Sequence, residues 1–219
     1  MRILALRHGV TSWNAAQRWQ GTTDIPLAEE GVAQAFAAGK RLAALGWRGR
    51  HVFCSALSRS RVTANAICSE LGLNAPLELQ DLGERELGAW EGLSISEVEG
   101  RYPGSIRAWT DGDIAGPPGG ETDVTVAHRF VQACKEILAK TQELESRVLV
   151  VTHAGVLHAV DKINGLGYSK YGPLCGRWFE FASPAHGETP IPDGSVDLLS
   201  DEVNVHGLDM PRSWGRHKP

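Results

Sequence analysis

The chain has 219 residues, 42% hydrophobic and 22% charged, the balance of an ordinary globular protein, and its length is read as one domain over residues 1–219. Lys+Arg 22 against Asp+Glu 26 leaves a formal charge of -4, which excludes the bulk basic character that nucleic acids or anionic membranes attract. Aliphatic runs such as Val148-Leu149-Val150-Val151 are far too short to span a bilayer.

In chain order, residues 2–7 read as a strand that ends abruptly at Arg7-His8-Gly9. Residues 29–45 carry Val32, Ala35, Phe36, Gly39, Leu42 and Ala43 at helical spacing, with Glu29 and Glu30 where the helix dipole favours acids. Ala28 stands where a Ser or Thr cap is expected. His51–Cys54 predicts a short strand, and a helix follows from Ser58 to Leu71, stopped by Gly72. Residues 84–120 break the rhythm with Trp90, Trp109 and Gly116-Pro117-Pro118-Gly119-Gly120, and 85–120 is read as a lid-like excursion above the sheet. A long helix over 121–144, a strand from Arg147 to Val151 and a helix to Ile163 come next. Late strands are expected at 177–181 and 195–199, with a turn-rich connector at 183–194 and a flexible tail at 211–219. Strands alternating with helices define the expected class: an α/β three-layer sandwich, its central sheet mostly parallel, helices on both faces and the excursion over the carboxyl ends of the strands.

Cys54, Cys68, Cys134 and Cys175 form no C-x-x-C pair and are read as buried thiols. With no secretion signal at the start, they place the expected setting in the cytoplasm.

His8 and His153 each follow a strand directly, where ligands gather in open α/β sheets. Arg59 sits in the first turn of its helix with the wrong sign for the dipole, a conflict that a bound anion removes. Arg7, Arg59 and the two histidines therefore read as a cradle for a phosphoryl group, while Arg61 reads as a surface cation. A zinc reading of His153, His158 and Asp161 is disfavoured, since i, i+5 does not share a helical face; no metal or cofactor is expected. Trp90, Trp109 and Trp178 are expected in packing roles, and Trp13 and Trp19 are left open.

Several motifs then occur in order: Leu6-Arg7-His8-Gly9, Thr11-Ser12-Trp13-Asn14, Arg18-Trp19-Gln20-Gly21 and Asp24-Ile25-Pro26-Leu27. Ser55-Ala56-Leu57-Ser58-Arg59, Leu82-Gly83-Glu84, Gly88-Ala89-Trp90-Glu91-Gly92, Gly119-Gly120-Glu121-Thr122 and Val151-Thr152-His153-Ala154-Gly155 continue the series. Over residues 2 to about 163 the chain resembles the histidine phosphatase superfamily, the phosphoglycerate-mutase-like group. The resemblance implies that His8 is a nucleophile forming a phosphohistidine, that Arg7, Arg59 and His153 complete the phosphate pocket, and that Glu84 donates the proton. It also implies that Asn14, Gln20 and Gly21 bind substrate. Glu86 competes with Glu84 on spacing alone; the motif register favours Glu84. Glu121 is read as a first-turn acid, with a role against the arginines as the alternative. Val10 departs from the Glu or Gln usual after R-H-G in that family, and His158 from its usual Arg.

Three activities are compatible with this pattern: a phosphomonoesterase, a 2,3-bisphosphoglycerate-dependent mutase and a silent phospho-ligand binder. The resembling mutases have a longer excursion with a paired-arginine motif, whereas here 34 residues separate Glu84 from Gly119 and Arg85, Arg101 and Arg107 are isolated. A phosphatase acting on a small phosphorylated metabolite is the leading expectation, with no nucleic-acid or membrane partner and with room for a homodimer.

Overall fold

The computed structural model describes residues 2–141, 147–167, 169–180 and 191–200. Its strands are β1 (Arg2–Arg7), β2 (His51–Cys54), β3 (Leu77–Glu78), β4 (Arg147–Thr152), β5 (Cys175–Glu180) and β6 (Ile191–Asp197). They form one sheet in the order β3-β2-β4-β1-β5-β6, parallel through β1 to β4 and antiparallel at β5 and β6. The helices are α1 (Ser12–Ala15), α2 (Glu29–Ala44), α3 (Ser58–Leu71), α4 (Ile95–Arg101), α5 (Ser105–Asp111), α6 (Asp123–Thr141) and α7 (Ala154–Ile163).

Alternation along the strands explains the layers. Ile3, Ala5, Val148, Val150 and Phe53 pack with α6 and α7, while Leu4, Leu6, Leu149, Val151 and Val52 pack with α2 and α3. Helices therefore cover both faces. β4 lies centrally, and Val148 to Val151 are all fully buried, which is why that run is continuously apolar rather than alternating.

Local signals end the elements where chemistry requires. α3 closes at Gly72 with φ +63, a left-handed turn that costs glycine little. Ala28 caps α2 without a side-chain bond, as its composition dictates. Several expected boundaries shift: β5 begins at Cys175 rather than 177, and β6 ends at Asp197 rather than 199. α6 begins at Asp123 rather than 121, because Glu121 is engaged elsewhere; residues 142–144 lie outside those described. Residues 191–194, expected in a connector, belong to β6, since Pro192 is tolerated on the outermost strand of the sheet. Residues 181–190 and the 211–219 tail lie outside the described part.

The excursion has its own small core of Leu87, Trp90 and Val98, against which Trp19, Tyr102, Ile106 and Trp109 pack. A capping box at Ser94 and Glu97 starts α4. Cys54, Cys68 and Cys134 are free and buried; Cys175 is free and half-buried, since it opens β5 at the sheet end. Burial pushes the Cys54 thiol up to about 12, so it stays protonated at neutral pH. Among the described residues no helix is long and apolar enough to cross a membrane.

The turn after β1 crosses α2 through two facing glycines. A Cβ on Gly31 would stand 2.1 Å from the Val10 carbonyl oxygen, and one on Gly9 2.4 Å from the Gly31 carbonyl oxygen. Gly31→Ala should therefore cost about 1–3 kcal/mol in urea unfolding, by forcing two backbones apart. Gly100→Ala, which enters open space within α4, should be neutral or stabilising by up to about 1 kcal/mol. Equal stability of the two variants would remove the close approach as a constraint.

Candidate active site

β1 and β4 are adjacent and parallel, with Arg7 registered against Thr152. The next residues are His8 and His153, and the His8 amide donates to the Thr152 carbonyl at 3.1 Å. The two rings consequently lie 5.1 Å apart, at the carboxyl ends of the strands as expected from their sequence positions.

His8 is 2% exposed, and its Nδ1 lies 2.7 Å from the Gly9 carbonyl oxygen. A carbonyl can only accept, so Nδ1 carries the proton and, in the neutral ring, Nε2 keeps a lone pair. Burial, together with the Arg7 and Arg59 charges, holds His8 well below the usual histidine range. His153 is fully buried, with Nε2 2.7 Å from the Ser55 hydroxyl. Its Nδ1 has no hydrogen-bond partner among the described residues. Burial, then the charge of Arg59, keeps it neutral as well.

Arg59 is fully buried beneath them and donates to the Gly21 and Thr23 carbonyls, both at 2.8 Å. Those carbonyls answer part of its conflict with the α3 dipole, while its Nε has no partner among the described residues. The N-terminus of α3 takes its cap from outside: Asp24 accepts from the Ser58 amide and hydroxyl, each at 2.7 Å. The 21–23 turn is fixed in turn by Glu91, which accepts from the Thr23 amide and hydroxyl at 2.6 Å. Arg7 donates to the Tyr171 carbonyl at 2.7 Å. Arg61 is a surface cation facing Glu78.

A cavity of about 640 Å³ opens above this floor, and Arg7, His8, Asn14, Gln20, Gly21 and Glu84 line it. Arg59 and His153 are fully buried and do not line it; His153 adjoins it through the His8 ring. Asn14 and Gln20 are held by one hydroxyl, that of Thr11, which lies 3.1 Å from Asn14 Oδ1 and 3.0 Å from Gln20 Oε1. Gly21 contributes backbone alone: at φ +53 a side chain would meet the Glu91 carboxylate, and its carbonyl serves Arg59. Glu84 accepts from the Arg85 amide at 2.8 Å and the Gly155 amide at 3.3 Å. Glu86 is exposed and outside the cavity wall, which separates the two candidate acids.

Some side chains have roles that spacing did not announce. Arg85 is 1% exposed, paired with Asp123, and lies 4.9 Å over the Trp109 ring. Trp109, expected purely as packing, also faces the cavity, as does Trp19; Trp90 and Trp178 are fully buried packing residues. The favoured reading of Glu121 as a first-turn acid is corrected. It precedes α6 and accepts from Arg129 at two 3.0 Å bonds, while Arg129 also donates to the Asp81 and Gly83 carbonyls. Burial pushes the Glu121 carboxyl up, but the Arg129 and Glu86 hydrogen bonds outweigh it and hold it below the usual range. This clamp fixes the segment that presents Glu84. Asp161, once a metal candidate, is committed to Arg177 at 2.8 Å and to the Tyr171 hydroxyl at 2.5 Å.

Residues 3–171 match the family model of the histidine phosphatase superfamily, branch 1. The chain belongs to that superfamily, an enzyme family that includes both phosphatases and phosphoglycerate-mutase-like proteins. It is 37% identical over 160 residues to a metal-independent phosphoserine phosphatase of Arabidopsis thaliana, spanning 72% of this chain and 66% of that protein. It is 38% identical over 164 residues to a 2,3-bisphosphoglycerate-dependent phosphoglycerate mutase of Methylobacterium sp. (73% of this chain, 78% of that one). The structure of a mycobacterial glucosyl-3-phosphoglycerate phosphatase with VO3 superposes with a TM-score of 0.72 at 30% identity, covering 82% of this chain and 92% of that one.

The buried histidines predict an acid-labile fold. Both are neutral when folded, with pKa values below the 6.5 of an unfolded histidine. Above about pH 6.5 their contribution is fully present; as pH falls below it, the unfolded chain binds protons that the folded chain does not. Stability should then drop by about 1.4 kcal/mol per pH unit for each histidine. Thermal melts between about pH 7 and pH 5 should show the fall, with a shallower slope in His153→Gln; identical slopes would contradict the assignment.

Proposed function

We propose that the protein is a metal-independent phosphomonoesterase that works through a phosphohistidine on His8. The observation that carries this reading is the His8 ring itself, with Nδ1–H tied to the Gly9 carbonyl and a free Nε2 lone pair beside two arginines. Nε2 attacks phosphorus in line, the ester P–O bond breaks, and the departing oxygen takes a proton from Glu84. The Glu84 carboxylate then takes a proton from water as that water attacks phosphorus. The N–P bond breaks, inorganic phosphate leaves, and His8 recovers its lone pair.

Charge on the transferring oxygens is met by Arg7 and Arg59, without a metal being required. Among the described residues His153 Nδ1 and Arg59 Nε have no partner but are shut off from the cavity, so Arg59 contributes its charge from behind the wall. Asn14 and Gln20 offer their amide groups from the wall, and Glu84 supplies an effect of about 10²–10⁴-fold.

Transfer back to substrate, as in a mutase, is the second reading, favoured by the Methylobacterium relative. Against it, Arg101 and Arg107 are exposed and outside the cavity wall, and Arg107 faces Asp111. The excursion thus offers no pair of arginines to hold a substrate carboxylate during reorientation. A silent binder is disfavoured by the presence of all three of His8, Glu84 and His153.

Phosphorus NMR of the protein with 3-phosphoglycerate and p-nitrophenyl phosphate, in EDTA with a trace of 2,3-bisphosphoglycerate, should show growth of inorganic phosphate. His8→Ala should be inactive yet fold normally, and quenched reactions should yield an acid-labile phosphoprotein only with His8 present. Rapid conversion to 2-phosphoglycerate with little free phosphate would make it a mutase. Arg59→Ala should raise the inhibition constant of inorganic phosphate by about 10–100-fold, the loss of a buried charge behind the wall. An unchanged constant would remove Arg59 from phosphate binding.

A further inference from the structure

The phosphate end accounts for a small part of the cavity, whose 640 Å³ is the size of a pocket for a much larger ligand. Its lining also carries Trp19, Leu87, Ile95, Ile106, Trp109 and Leu166, beside the neutral polar Gln17, Thr110 and Ser169. Ile95 is 44% and Leu166 39% exposed, so apolar surface faces solvent at the cavity rim with no packing role that requires it.

The charged groups around that wall are already spoken for. Arg85 donates to the Glu121 carbonyl, pairs with Asp123 and lies flat on Trp109. Lys162 reaches Asp123 at 3.0 Å and the Trp109 carbonyl at 2.8 Å. Arg18 donates to the Gly92 carbonyl and faces Glu97 at 3.2 Å. Asp123 and Asp161 are matched in turn, by Arg85 and Lys162 and by Arg177, so the wall presents balanced pairs rather than spare positive charge. His158 gives it no charge either, because burial holds the ring neutral with Nε2 on the Ser169 carbonyl at 2.6 Å.

We infer that the alcohol portion of the substrate is uncharged and predominantly apolar, an alkyl or aryl-alkyl phosphomonoester rather than a phosphorylated acid. A carboxylate placed there competes with Asp123 for Arg85 and Lys162, and beyond the neutral Gln17, Thr110 and Ser169 it meets tryptophan, isoleucine and leucine. An alkyl chain buries against the same surface at once. The inference rests on the phosphatase reading and narrows its substrate.

The test compares butyl and hexyl phosphate with 3-phosphoglycerate and O-phosphoserine, all esters of aliphatic alcohols, so that an acidic phenol leaving group does not dominate the rates. For the wild-type protein kcat/KM should rise by about fourfold for each methylene that reaches the wall, about 15-fold from butyl to hexyl. Both alkyl esters should exceed the two carboxylates. Calorimetric affinities of His8→Ala for the same esters should follow the same order, and Leu166→Ser and Ile95→Ser should lower the hexyl-to-butyl ratio. Preference for 3-phosphoglycerate or phosphoserine, or a ratio near one, overturns the inference and leaves hydrolysis standing. The predicted affinity order in His8→Ala without any turnover by the wild-type protein would support the apolar subsite and overturn the phosphatase reading.

Discussion

The site depends on one piece of backbone geometry, the parallel pairing of β1 with β4. Register places Arg7 beside Thr152, so the next residue on each strand is a histidine and the two rings must meet. β2 runs parallel on the far side of β4, with Cys54 opposite Val151, which delivers Ser55 to the His153 ring. A slip of one residue in either ladder would turn each side chain to the opposite face. β4 is apolar on both faces, so its register is held at the polar end, where the Thr152 hydroxyl donates to the Leu82 carbonyl at 2.8 Å. The sheet thereby sets the reacting geometry.

Electrostatics follows from that placement. A cation and two imidazoles buried together would be unstable if all were charged, and the structure resolves the conflict asymmetrically. Arg59 keeps its charge because two carbonyls accept from it, whereas the histidines stay neutral. The same arrangement that disfavours protonation of His8 leaves its lone pair available. Positive charge is held close to His8 by a residue whose own solvation has been replaced by fixed dipoles.

Much of this was legible in the sequence, for identifiable reasons. His8 and His153 stand at the ends of apolar strands, and strand ends in α/β sheets converge. Gly72 stops α3 because few other residues enter the left-handed turn cheaply. Partnerships across long separations were not legible. The Glu121–Arg129 clamp reaches back to Asp81 and Gly83, and Arg85 pairs with Asp123 across the whole excursion. No periodicity encodes such contacts, since each depends on how two loops are folded over the sheet. Gly21 illustrates the same limit: its place in the site was readable, but the reason, a carbonyl turned toward Arg59, is a property of backbone conformation. Ser55 sat inside a recognisable motif, yet its contact with His153 needed the strand order to be known.

Glu91 gives the excursion a mechanical connection to the buried Arg59. It belongs to the segment after Trp90, yet it grips the amide and hydroxyl of Thr23, whose carbonyl in turn holds Arg59. Any outward swing of residues 88–92 either drags the 21–23 turn along or breaks two bonds to a carboxylate. Movement of residues 88–92 and loosening of the buried guanidinium are therefore one motion, and thermodynamic reciprocity makes the coupling run in both directions. A change at Arg59 is therefore felt at residues 88–92, and a change there is felt at the buried guanidinium.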